Sequence, residues 1–89
     1  MYIDSQYTLA AFKNACKYVG GLKGVPYNSL IKALKEAEPA AMAESPYQFK
    51  SETLYRVFMS NEQCKAICEK NKYTSWEQIA YHSYEITHR

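Results

Sequence analysis

Several features that would assign this chain to a specialised class are missing from its sequence. No apolar run approaches the roughly 20 residues that a helix needs to cross a bilayer, and the first residues lack the basic region and apolar stretch of a secretory signal. The cysteines number only three, an odd set that argues against a disulfide framework. We therefore expect a cytoplasmic protein with reduced thiols and no membrane partner.

Catalytic signatures are also scarce. The chain has a single aspartate, no Gly-x-Ser-x-Gly motif and no paired carboxylates at an obvious pocket. Cys64 or Cys68 with His82 could serve as nucleophile and base, but any chain that holds both residue types permits this pairing on paper. A chain of 89 residues also offers little room for a substrate cleft. We expect a protein that is not an enzyme.

Glycine and proline are few, with three of each, and their positions divide the chain. All three glycines fall within residues 20–24, and apolar residues between the breaks recur at the three- and four-residue spacing of helices. No alternation of apolar and polar residues bounded by hairpin turns occurs, so strands are not expected. The sequence predicts an all-α fold, a compact bundle of about five short helices in a single domain over residues 1–89.

Capping and helix-breaking residues predict where the helices begin and end. Ser60 with Gln63 has the spacing of a capping box for the helix that follows. The predicted elements are a helix from Asp4 or Ser5 to Gly20, a helix from Pro26 to about Glu38, a short helix between Pro39 and Pro46, and helices over 51–59, 61–70 and from Thr74 or Ser75 onward.

The formal net charge of +2 is unevenly distributed. Residues 1–35 hold five lysines and one aspartate, a net charge of +4, whereas residues 36–89 carry a net charge of −2. Lys13 and Lys17, four residues apart, would form a basic ridge on the solvent side of the first helix. We predict that they make electrostatic contacts with a partner. Nucleic acid stays open as that partner but is not favoured, because residues 74–88 offer no Lys or Arg for a recognition helix.

Two cysteines and both histidines follow one another in the order of a zinc site, Cys64-x3-Cys68-x13-His82-x5-His88. This stretch resembles a Cys2His2 zinc finger in one further spacing, that of an aromatic residue, an aliphatic residue and the first histidine. Here these are Tyr73, Ile79 and His82. The resemblance implies a zinc-dependent nucleic-acid-binding module. Residues 62–70 also have high helix propensity, which favours buried, reduced cysteines on a helix. We therefore predict no cofactor and keep zinc as the alternative.

Tyrosine is the abundant residue, with nine copies beside a single tryptophan. The last predicted helix carries Ser83 on the same face as three residues that can fill the core: Trp76, Ile79 and Ala80. A second stripe at spacings of three and four is left for solvent or a partner: Tyr81, Tyr84 and His88. Because tyrosine is enriched at interface hot spots, we predict that this second stripe binds another protein or a second copy of the chain. The sequence thus favours a small regulator or inhibitor, of the kind that phages and mobile elements encode.

Overall fold

The structure, a computed structural model, describes residues 6–19, 27–43 and 48–87. In these ranges it is all-α and contains no strand, which confirms the predicted bundle of short helices. The helices are α1 Leu9–Tyr18, α2 Tyr27–Ala37, a 3-10 helix Pro39–Ala43, α3 Ser51–Met59, α4 Glu62–Asn71 and α5 Trp76–Thr87. None of them is long and apolar enough to cross a membrane. Other predicted features lie outside the described residues: Asp4, Ser5, residues 20–24, Pro26, Pro46 and His88.

Three aromatic rings hold the centre of the core. Phe12 of α1, Phe58 of α3 and Trp76 of α5 are all fully buried. The ring centroids of Phe12 and Trp76 lie 5.8 Å apart in a stacked arrangement, and Phe58 meets them edge-on at 6.3 and 6.1 Å. Each such pair stabilises the fold by about 0.5–1.5 kcal/mol beyond the burial of its area. The three rings therefore join three helices that are far apart in the sequence.

The segment before α1 is tied to the start of α5. The indole Nε1 of Trp76 donates a hydrogen bond to the carbonyl oxygen of Gln6 at 2.7 Å, and the Tyr7 hydroxyl donates to Oε2 of Glu77 at 3.2 Å. The backbone N–H of Phe49 donates to the Tyr7 carbonyl oxygen at 2.7 Å, and next to this bond Thr8 and Gln48 form an antiparallel bridge. This segment therefore connects the beginnings of α1, α3 and α5.

A carboxylate from the end of α2 caps the start of α3. Lys50 precedes α3 in an extended conformation, and its own side chain makes no capping hydrogen bond. Instead, Oε2 of Glu38 accepts from the Lys50 backbone N–H at 2.8 Å, and Oε1 accepts from the Thr53 hydroxyl at 3.4 Å. A negative charge at a helix N-terminus interacts favourably with the helix dipole. Glu38 thereby fixes the angle between α2 and α3.

Two helices begin at residues other than the predicted caps. Thr8 caps α1, where its hydroxyl accepts from the Ala11 backbone N–H at 3.2 Å, so α1 begins after the predicted Asp4 or Ser5. Asn61 caps α4, where its Oδ1 accepts from the backbone N–H groups of Gln63 and Cys64 at 2.9 and 3.0 Å. The predicted Ser60 cap is wrong because Ser60 keeps helical backbone angles at the end of α3, whereas Asn61 has the extended conformation that an N-cap requires.

The turn between α4 and α5 contains a lysine in the left-handed conformation. Lys72 has φ 59° and ψ 36°. The backbone N–H of Tyr73 donates to the Cys68 carbonyl oxygen at 2.9 Å, and that of Lys72 donates to Glu69 at 3.3 Å, which is the pattern of a Schellman motif. The Tyr55 hydroxyl donates to the Tyr73 carbonyl oxygen at 3.4 Å. The turn is therefore held on α3 despite a residue type that disfavours this conformation.

Lys72→Gly is expected to raise the free energy of unfolding by about 1 kcal/mol, because glycine adopts the left-handed conformation without a Cβ clash. The same substitution at Lys65, exposed in the middle of α4, is expected to lower it by about 1 kcal/mol. Urea denaturation of both variants measures the difference. Loss of stability in Lys72→Gly would contradict the left-handed turn.

The environment of Glu77 favours its ionised form. A hydrogen bond from its own backbone N–H is the largest effect that holds the pKa of the Glu77 carboxyl below its ordinary value, and partial burial opposes it. Three hydroxyl groups donate further hydrogen bonds that lower this pKa, those of Ser51, Tyr7 and Ser75. The carboxylate therefore serves as a junction between α5, α3 and the segment before α1.

Acid should weaken the fold through this residue. The pKa of Glu77 is lower in the folded protein than in the unfolded chain, so its stabilising contribution is present at neutral pH and is lost as the pH falls through the folded-state value. Glu77→Gln should lower the free energy of unfolding by about 0.5 kcal/mol at pH 7, a small effect because the site is partly solvated. The variant should also lose less stability than the wild type below pH 4.5. Denaturation across pH measures both effects.

Glu69→Gln is the control for this experiment. It removes an exposed carboxylate from the C-terminal half of α4, where the helix dipole does not favour negative charge. We expect unchanged or slightly higher stability. Equal effects of the two substitutions would show that the hydrogen bonds around Glu77 do not stabilise the fold.

Candidate interaction surface

The inward face of α5 consists of the four residues that the sequence places on one face of this helix. They are all buried: Trp76, Ile79, Ala80 and Ser83. The Ser83 hydroxyl donates to the Ala80 carbonyl oxygen at 2.9 Å, so this polar group enters the core with a partner inside its own helix. The orientation of α5 is thereby determined, and its remaining residues lie at the edge of the core or face solvent.

The outer face of α5 carries Tyr81 and Tyr84 on one side of the helix. Tyr81 is 60% exposed, and among the described residues the other exposed large apolar side chain is Tyr18. Tyr84 is half-buried and takes part in interactions within the fold. The two tyrosines are three positions apart, so their Cα–Cβ bonds point to the same side of the helix. His88, the third predicted member of this stripe, lies outside the described residues.

The outer face of α1 carries the two predicted lysines. Lys13 and Lys17 are both exposed. The Lys17 ammonium lies 5.2 Å from the centroid of the Tyr18 ring, and Tyr18 is 41% exposed. A cation over an exposed aromatic ring is stabilised by about 0.5–1 kcal/mol. Tyr18 is thus a surface aromatic that the sequence reasoning missed, although its position off the stripe of Phe12 and Cys16 could have revealed it.

These two outer faces belong to helices that pack directly on each other. The most extensive helix–helix contact joins α1 and α5. The stacked rings of Phe12 and Trp76 lie at this contact. Tyr81 and the two lysines are therefore presented by one rigid pair of helices, a suitable support for a binding surface.

The cysteines of the predicted zinc series lie on the buried side of α4. Cys64 and Cys68 are at most 1% exposed, and Cys16 of α1 is fully buried. Burial is the largest effect that raises the pKa of Cys16 to about 12 and the pKa of Cys64 and Cys68 to about 11 each. The charge of a Cys64 thiolate makes a smaller contribution to the raised pKa values of Cys16 and Cys68. Thiols in this environment are protonated and unreactive at neutral pH.

His82 has a partner of its own. The Tyr73 hydroxyl is hydrogen-bonded to Nδ1 of the His82 ring, and the two ring centroids lie 5.7 Å apart. Within the described part of the chain no three Cys, His, Asp or Glu side chains converge in a geometry that could hold a metal ion. His88 lies outside that part, so the zinc alternative stays a prediction. This alternative predicts that protein purified without added metal holds one zinc per chain and that a chelator unfolds it.

Thiol labelling tests the burial of the three cysteines. At pH 8 a pKa raised from 9.0 to about 11 lowers the thiolate fraction about a hundredfold. We therefore expect a disulfide reagent to modify native protein at least about a hundredfold more slowly than urea-unfolded protein. Fast labelling of even one cysteine in the native state would show that its helix, α1 for Cys16 or α4 for the other two, does not pack as described.

Comparison with models of protein families, with curated proteins and with solved structures found no match to this chain. The function is therefore inferred from the surface itself.

Proposed function

We propose that this chain is a small non-enzymatic binding protein that regulates or inhibits another protein by docking on it. The contact surface is the outer face of α5 together with the basic face of α1. The observation that carries this proposal is the position of Tyr81, which is 60% exposed on a helix whose opposite face is fully used by the core. Its ring contributes little to the fold, and a partner would bury it.

Tyrosine suits such a role energetically. Aromatic side chains bury about 150–250 Å² each, and tyrosine has few rotatable bonds to immobilise on binding. Tyr81 would be the apolar anchor, with Tyr84 beside it at the edge of the core. Lys13 and Lys17 would contribute charge, which increases the association rate and selects an acidic partner surface. Such a division between aromatic anchor and charged rim is typical of protein–protein interfaces.

Tyr81→Ala should weaken partner binding strongly without affecting the fold. The tagged wild type and the variant are used in parallel for affinity capture from the native host, and a protein lost with the variant is then purified. Titration calorimetry should show its Kd raised at least about 30-fold, which corresponds to the roughly 2 kcal/mol of a hot spot. Helicity by circular dichroism should be unchanged, because the side chain is exposed.

Lys65→Ala on the exposed side of α4 is the matched control and should bind as the wild type does. Tyr81 is a better test than Tyr84, because truncation of the half-buried Tyr84 would also remove contacts within the fold. Equal binding of the purified partner by the wild type and Tyr81→Ala would overturn the proposal.

A further inference from the structure

Charge is segregated by sign between the two helices that carry the proposed surface. Helix α1 contains Lys13 and Lys17 and no acidic residue, whereas α5 contains Glu77 and Glu85 and no Lys or Arg. Glu77 is used inside the fold by its hydrogen bonds to Tyr7 and to neighbouring hydroxyls. The outer face of α1 is therefore basic, and the outer face of α5 is acidic at Glu85.

These outward charges are not neutralised within the described part of the chain. There, neither Lys13 nor Lys17 forms an ion pair with a carboxylate, and Glu85 forms none with a cation. The described interaction of Lys17 is with the ring of Tyr18, at 5.2 Å. Within the described residues, opposite charges on two adjacent helices are thus available for contact with a partner.

Helices α1 and α5 lie side by side in the bundle. The rings of Phe12 and Trp76 stack on each other, and α1 and α5 share the most extensive contact among the described helices. A partner that lies along this pair of helices can therefore contact exposed residues of both.

We propose that this surface is self-complementary and that its occupant is a second copy of the chain. A two-fold axis places α1 of each copy on α5 of the other, so every contact is made twice. Lys13 and Lys17 then face Glu85 of the second copy, and Tyr81 is buried between the helices. This inference rests on the proposed function, because it names the partner of the same surface. The dimer is favoured at low ionic strength, since exposed charge pairs are screened by salt.

Charge reversal tests the pairing. One variant carries Lys13→Glu and Lys17→Glu, and a second carries Glu85→Lys. In a dimer of either variant with itself, both α1–α5 contacts between the two copies bring like charges together. In a mixture of the two, every contact joins opposite charges. Sedimentation velocity should therefore show a wild-type dimer, two variants whose dimer Kd is raised at least about tenfold, and a 1:1 heterodimer in the mixture.

Heterodimer formation also shows that both variants are folded, and Lys65→Glu on α4 is the control that should dimerise as the wild type does. A rise from about 20 mM to about 500 mM salt should weaken the wild-type dimer. A wild type that stays monomeric up to about 1 mM protein, or variants that self-associate as well as the wild type, would overturn the inference. Capture of a different protein that depends on Tyr81 would then still support the proposed function, with an acidic partner in place of the second copy.

Discussion

The contact among the rings of Phe12, Phe58 and Trp76 is the constraint on which the rest of the structure depends. It joins helices from the beginning, the middle and the end of the chain, and all three rings are fully buried. Once the three rings meet, the buried face of each helix is determined, and so is the face that points outward. Loss of one ring from such a core typically costs about 3–5 kcal/mol, a large part of the stability of a small domain.

Polar groups at helix ends then set the angles that the apolar core leaves free. Glu38 closes the start of α3 from the end of α2, and Glu77 links the start of α5 to Tyr7 and to α3. In both cases a carboxylate lies where the helix dipole favours it. Two short stretches of backbone outside the helices, before α1 and before α3, are thereby held in place. A chain of this size buries limited apolar area, so such local bonds are a substantial part of what orders it.

The small size of the core also separates buried residue types from exposed ones. The thiols of Cys16, Cys64 and Cys68 fill the core, and their raised pKa values remove them from redox chemistry at neutral pH. Tyr81 and the α1 lysines are excluded from the core and lie on the pair of helices that packs most extensively. An exposed aromatic residue, on the same pair of helices as charges that form no ion pair within the described residues, suits the docking surface that we propose.

The sequence by itself determined the helical class, the span of α3 and the inward face of α5, because the periodicity of apolar residues and the breaks between them are local properties. It also indicated that Tyr81, Lys13 and Lys17 would be left for solvent. Only the tertiary structure decided that α1 and α5 are neighbours, that Glu38 caps another helix, and that Asn61 rather than Ser60 begins α4. These outcomes depend on backbone angles and on contacts between residues distant in the sequence. Periodicity assigns a residue to the buried side of its helix, but it does not say which helix covers that side.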